Sequence, residues 1–181
     1  GDGQSSGTLV INTQDSDVYK DASSLTATIT SATGGNFESL VVGTASATAQ
    51  IADTTDVTTV SLSTSDVTED DASVTFTATL SNASQGTTTI VTDLGTITIG
   101  DGQSSGTLVI NTQDSDVYKD ASSLTATITS ATGGNFESLV VAEGAGSATA
   151  QIADTTDVTT VSLSTSDVTE DDASEIGRAH V

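Results

Sequence analysis

SVTFTATLS, residues 73–81, places Val74, Phe76, Ala78 and Leu80 at every second position, with Thr75, Thr77 and Thr79 between them. Successive side chains on an extended backbone point to opposite faces, so a period of two describes a strand with one face in a core and one in water. β-branched and aromatic side chains suit that pleated surface. Working outward, the same alternation recurs at Thr59–Ser63, Thr87–Val91, Thr96–Ile99, Gly106–Asn111, Ser123–Thr129 and Ser147–Ala153, separated by Gly, Asn, Asp and Ser clusters. Seven short strands in about 100 residues, with turn signals roughly every 8–12, predict an immunoglobulin-like antiparallel β-sandwich. The expected fold class is all-β.

The pattern is written more than once. Residues 1–42 return unchanged at 100–141, and residues 46–73 return at 147–174. Only the junction differs, Gly43-Thr44-Ala45 against Ala142-Glu143-Gly144-Ala145-Gly146, and a tolerated change of length marks a loop. A period of about 100 residues is domain-sized and far longer than a solenoid repeat. The chain is therefore expected to be a tandem array of immunoglobulin-like repeats. Residues 1–53 are the C-terminal part of one repeat, 54–154 a complete repeat, and 155–174 the first strand of the next. The first piece would expose the apolar face that its missing sheet should cover. Residues 175–181, EIGRAHV, abandon the repeat after Ser174 and contain its one Arg and one His. They put Glu175 where the first copy has the inward-facing Val74, a carboxylate at a core position. Their back-translation matches the start of a common short-read sequencing adapter. They are read as a non-native tail, and Arg178 and His180 are given no function.

Three basic residues against 25 acidic ones leave a net charge of −22. That argues against nucleic acid or an anionic membrane surface as a partner and points to cations. Without Cys there is no disulfide or thiolate chemistry. Without His or Cys outside the tail, Ser and Thr have no evident base, so no enzyme is expected. The acids gather in three clusters per period. QDSDVYKDA carries Asp15, Asp17 and Asp21, then Asp114, Asp116 and Asp120; IADTTD carries Asp53 and Asp56, then Asp154 and Asp157. VTEDD carries Glu69, Asp70 and Asp71, then Glu170, Asp171 and Asp172. Calcium takes about 6–8 oxygen ligands, which carboxylates and backbone carbonyls supply. Lys20 and Lys119 are the only cations outside the tail, so carboxylates gathered within a Debye length of ~8 Å repel unless a bound ion intervenes. Calcium is therefore the expected cofactor of these clusters, with solvated loop carboxylates the alternative. IADTTD links one sandwich to the next, which makes neighbouring repeats of the same chain the expected partners. DSDVYKD begins like an EF-hand loop but lacks its Gly and its later Glu.

Other motifs carry less. GDGQSSG has the wrong spacing for a phosphate loop and precedes a strand, so a tight turn is expected. Tyr118 precedes the sixth strand, where sandwiches place a tyrosine that bonds back to the backbone at a corner. The Thr rows are the wet faces of strands.

The stretches DVYKDASSLTATITSATGGNFESLVV, ATAQIADTTDVTTVSLS and VTEDDASVTFTATLSNASQGTTTIVTDLGTITIGDGQSSGTLVI resemble the immunoglobulin-like repeats of giant bacterial RTX adhesins, LapA-type above all. They are also similar to extender repeats of ice-binding adhesins. The resemblance covers almost all of residues 1–174, and its most specific pieces are DVYKD, ATGGNFE and ADTTDVTTVSLS. It implies type I secretion, an extracellular place on a Gram-negative cell surface, cell adhesion and biofilm formation, and a stalk stiffened by calcium at domain junctions. The family's membrane-retention module, nonapeptide calcium repeats and ligand-binding domains have no counterpart in these residues. Direct membrane contact is not expected, and the tip ligand is sought outside this stretch. The expected function is a structural extender. A direct glycan- or ice-binding module and a surface-layer protein are the alternatives, the first weakened by three Phe, two Tyr and no Trp.

Overall fold

The computed structural model describes residues 1–13, 16–112, 118 and 121–171, with the backbone of 177–180. Every helix or strand among them is a strand: β1 Ser23–Thr28, β2 Ser46–Ile51, β3 Val57–Ser63, β4 Val67–Thr68, β5 Ser73–Leu80, β6 Thr88–Thr92 and β7 Thr96–Ile99. These are followed by β8 Ser105–Asn111, β9 Ser122–Gly133, β10 Ser138–Val141, β11 Ser147–Ala153, β12 Ser162–Thr165 and β13 Gly177–His180. No helix among the described residues is long and apolar enough to cross a membrane.

Strand β5 alternates as its sequence requires, with Val74, Phe76, Ala78 and Leu80 buried and Thr75 and Thr79 in solvent. It sits in the middle of a sheet ordered β10-β3-β5-β8, and the facing sheet is ordered β4-β11-β9-β6-β7. Val60 and Leu62 of β3 join the β5 side chains on one side of the core. Ile90, Ile97, Ile99, Ala126, Phe136 and Ala150 close it from the other. Neighbouring strands are antiparallel except at two places, where β10 runs parallel to β3 and β4 parallel to β11. The chain thus leaves one sheet after β3 and touches the last strand of the other through β4, the split first strand of an immunoglobulin-like sandwich.

All seven expected segments are strands, and two further features go beyond the alternation. β9 continues to Gly133 through a bulge opposite Val91 and Thr92. There the Asp93 carboxylate accepts from the Thr127 amide at 2.7 Å, replacing a lost ladder bond. β10 comes from the unbroken run Leu139-Val140-Val141, which carries no period of two. The GDGQSSG stretch makes the tight turn expected of it, with the Gln103 amide bonded to the Gly100 carbonyl at 3.0 Å.

The first copy forms less. β1 and β2 pair in the register that β9 and β11 use, Leu25 opposite Ala49 as Leu124 is opposite Ala150. Residues 7–12 form no strand although they repeat the sequence of β8, which in the sandwich pairs with β5. The first copy has no β5 sequence, and a strand without its neighbour has nowhere to send its backbone hydrogen bonds. Leu9, Val10 and Phe37 are correspondingly exposed, at 77%, 88% and 66%. At the other end of the chain β12 pairs with the backbone of β13.

Candidate functional site

The acidic clusters sit at the two ends of the sandwich, and the linker IADTTD passes both. Downstream, β11 runs out through Ala153 into Asp154 and Thr155, and the turn after β4 comes alongside. The Glu69 amide donates to the Ala153 carbonyl at 3.0 Å. The Glu69 carboxylate in turn accepts from the Thr155 amide at 2.6 Å and its hydroxyl at 2.7 Å. Glu69 is 5% exposed, and the Thr155 hydroxyl, then its amide, hold its carboxyl below the usual range. Hydrogen bonds to the charged form do this by favouring the anion. Asp71 closes its own turn, accepting from the Thr68 amide at 2.8 Å and hydroxyl at 3.0 Å, and those bonds likewise lower it. Asp70 is exposed at the tip of the turn.

The loop carrying Asp114, Asp116 and Asp120 lies outside the described residues, but its flanks belong to this same end. Asn111 is paired with Ser73, Thr112 donates to the Ala72 carbonyl at 3.2 Å, and Ser122 is paired with Ile152. In the first copy the equivalent end is an open cleft of about 470 Å³ lined by Thr13, Ser16, Ser23, Ile51 and Thr54 together with two of the expected ligands, Asp21 and Asp53. Asp15 is outside the described residues, and Asp17 accepts from the Tyr19 amide at 2.8 Å.

Upstream, the first linker enters β3, and Glu137, just before β10, faces it. The Asp56 amide donates to Glu137 Oε2. That bond lowers the Glu137 carboxyl, but partial burial and the neighbouring Asp53 and Asp56 carboxylates outweigh it and push Glu137 above the usual range. Asp53 also contributes by hydrogen bonding to it. Carboxylates this close disfavour each other's ionisation. Glu137 was not among the expected ligands; its signal was the Phe-Glu that follows Gly-Gly in each copy, at 37–38 and 136–137.

The next copy supplies a comparison. Glu170 and Asp171 repeat Glu69 and Asp70, and both are exposed. Asp157, which repeats Asp56, is exposed too, while Asp154 is half-buried. Asp172 is outside the described residues. Among the described residues no three carboxylates already converge as a cation cage. Each end offers oxygen donors, Glu69 beside the outgoing linker and Glu137 beside the incoming one, and that donor chemistry suits a hard divalent cation such as calcium. Two acids outside the three clusters serve the fold: Asp66 accepts from the Gln151 amide at 2.8 Å and Asp101 from the Gly86 amide at 2.7 Å.

Tyr118 is 75% exposed. Its first-copy counterpart, Tyr19, donates its hydroxyl to the Ala83 carbonyl of the following repeat at 2.7 Å. The Thr rows are hydrogen-bonded across the wet face, Thr125 to Thr149 at 2.8 Å and Thr26 to Thr48 at 2.7 Å.

Comparison with known proteins follows from this geometry. No curated protein matches the chain. Among solved structures, a two-domain protein with unknown function from Bacteroides fragilis is similar at 8% identity and a TM-score of 0.36. The match covers 60% of this chain and 55% of that one, so the chain spans about half of its length. One family model matches residues 1–54 and again 56–155, and its description is LapA domain.

Proposed function

Because the chain belongs to the LapA domain family, a family of large-adhesin domains at the cell surface, we propose that it is a non-enzymatic extender segment of a bacterial adhesin. Its repeats hold distal adhesive domains away from the cell, and calcium at the junctions stiffens the array. Export by a type I system and a part in adhesion and biofilm formation belong to the same reading.

The observation that supports it is that the two copies of one linker sequence each meet a carboxylate, one from the sandwich behind it and the other from the sandwich ahead. Thr155 of the outgoing linker is held by Glu69 of the sandwich it leaves, and Asp56 of the incoming linker is held by Glu137 of the sandwich it enters. Both linkers read IADTTD. A linker flanked by a repeat on each side would therefore meet a Glu69-type carboxylate behind and a Glu137-type carboxylate ahead, with its own two Asp between. Asp21 lines a cleft with Asp53, so an Asp21-type residue approaches the same junction from the upstream repeat. Such a group, with no Lys or Arg in those stretches but Lys20 and Lys119, gains most from a divalent cation, which replaces repulsion with shared ligation. The residues that would hold it are Asp53, Asp56 and Glu137 at one junction and Glu69, Asp154 and Asp157 at the other. Bound there, calcium supplies charge neutralisation and a rigid bridge; it has no reaction to perform.

Small-angle scattering of the chain in calcium and in chelator tests this. The expected outcome is a longer, stiffer particle in calcium, and Glu137→Gln should blunt the change. Identical dimensions in both conditions would overturn the reading.

A further inference from the structure

The two GGNFE segments have the same sequence and different surroundings, Phe37 being 66% and Phe136 3% exposed. Val18 and Tyr19 of the first copy are packed against the core of the sandwich formed by the second. The Lys20 amide donates to the Asn135 carbonyl at 2.8 Å, and the Glu137 amide donates to the Val18 carbonyl at 3.0 Å. Tyr19 and Phe136 are thereby β-bridge partners. Their rings stack with centroids 5.7 Å apart and planes 24° apart, and the Tyr19 hydroxyl reaches the Ala83 carbonyl at 2.7 Å. The Tyr19 amide is bonded to its own Asp17 carboxylate at 2.8 Å, which pre-shapes the segment. The receiving edge is equally specific. Phe136 is 3% exposed and folds over Gly134, where a Cβ would lie 2.3 Å from the ring. Asn135, at φ 53°, is anchored to Gln85 at 3.0 Å.

Phe136 lies beside Glu137 and the incoming linker, while Ser122, at the flank of the other tyrosine's loop, pairs with Ile152 at the outgoing end. Tyr19 lies in the same copy as Phe37, and Tyr118 in the same copy as Phe136, yet Tyr19 crosses to Phe136. Phe37 is folded over Gly35 in the same way as Phe136 over Gly134, and it is 66% exposed where Phe136 is 3%. Tyr118 is 75% exposed.

We propose that successive copies are clasped head to tail, the Asp17–Lys20 segment of each copy docking through its tyrosine on the Gly134–Glu137 edge of the copy that follows. The contact is heterologous, since the surface that gives differs from the surface that receives, so it propagates along a chain without closing. Stacked aromatics and two backbone bonds define its register as well as its strength. Its stacked rings and backbone bonds need no ion, so it is tested in chelator, apart from the calcium-stiffened junction.

Two tyrosines and no tryptophan make the test direct. The intact chain, labelled with fluorotyrosine and held in chelator, gives two fluorine resonances, assigned with Tyr19→Phe and Tyr118→Phe. A neutral soluble spin label should broaden the Tyr118 signal several-fold more than the Tyr19 signal. Phe136→Leu should shift the Tyr19 signal alone, and Phe37→Leu should shift neither. Equal broadening of the two signals, a Tyr19 signal that responds to Phe37→Leu, or a Tyr118 signal that responds to Phe136→Leu would each overturn the clasp. Phe37 is an exposed ring, so that arm survives even if Phe136→Leu unfolds the sandwich.

Discussion

Replacing Gly133 by Ala asks how much the sandwich depends on one close approach between strands. Gly133 has φ +94°, and a Cβ built there would lie 2.2 Å from the Thr87 carbonyl oxygen and 3.3 Å from both Thr87 C and Thr88 Cα. These are backbone atoms of the neighbouring strand, Thr88 being the ladder partner of Gly133, so no side-chain rotation relieves the overlap. The left-handed conformation alone costs a side-chain-bearing residue about 1–3 kcal/mol. Moving Thr87 away also breaks the bond from the Gly134 amide to the Thr87 carbonyl, 3.1 Å long, at about 0.5–1.5 kcal/mol. Forcing the strands apart adds about 1–3 kcal/mol of packing strain. A stiffer unfolded chain returns about 0.4–1 kcal/mol, so the net loss should be about 3–5 kcal/mol. Gly144→Ala is the control, because φ there is +71° and a Cβ meets nothing within 4 Å. Strain without collision should cost about 1 kcal/mol. Gly34→Ala, in the same sequence context at φ +91° with open space around it, should leave the sandwich's stability unchanged. Urea unfolding of the intact chain, followed by circular dichroism with the slope checked for constancy, reads all three. Equal losses for Gly133→Ala and Gly144→Ala would refute the collision argument.

Three further outcomes are expected. Ser84, 2% exposed, bonds Thr88 Oγ1 at 2.6 Å and the Gly86 carbonyl at 2.9 Å; Ser84→Ala should cost about 1–3 kcal/mol in thermal or urea unfolding by leaving those groups unpaired. Acid should act with two signs. Glu69 and Asp71 are lowered, so their contribution is full above the ordinary carboxylate range and is lost as pH falls from about 4 through their depressed values. Glu137 is raised, so its contribution is present in acid and disappears as pH rises through its elevated value. In stability measured against pH, Glu69→Gln should shrink the first limb to the Asp71 share and Glu137→Gln should remove the second. At neutral pH in chelator, Glu137→Gln should stabilise the chain by relieving Asp53 and Asp56, and in calcium it should lose part of the ion's benefit; destabilisation in chelator would contradict the repulsion.

How far the sequence reached depended on whether the information was local. Strands such as β5 and β7 announce themselves because each carries its own two-residue period and half its own burial. β10 does not, since Leu139-Val140-Val141 is apolar throughout and becomes a strand only when β3 lies beside it. The failure of residues 7–12 to form a strand is the same lesson reversed: a sequence that is β8 in one copy is irregular in another because the neighbour is missing. At the acidic ends, VTEDD and IADTTD were readable as clusters, and the structure brings Glu69 to Thr155. Glu137 was harder to see, because a lone Glu after Gly-Gly-Asn-Phe becomes an acidic partner only once the fold carries it to Asp53 and Asp56. Tyr19 was harder still, since identical sequence in two copies gives no hint that the contact crosses between them.

The parallel contact between β4 and β11 has a mechanical meaning. Load entering through the first linker pulls on β3 and load leaving through the second pulls on β11, at opposite ends of the sandwich. Because β4 and β11 run side by side in the same direction, force along the chain slides them past one another, and their bonds resist together instead of parting one at a time. Ile152 and Ala153 opposite Val67 and Thr68 make only a short ladder. The bonds from Gln151 to Asp66, from Glu69 to Ala153 and from Thr155 to Glu69 lengthen it at both ends. Under tension these carboxylates would act as the latch of a shear clamp.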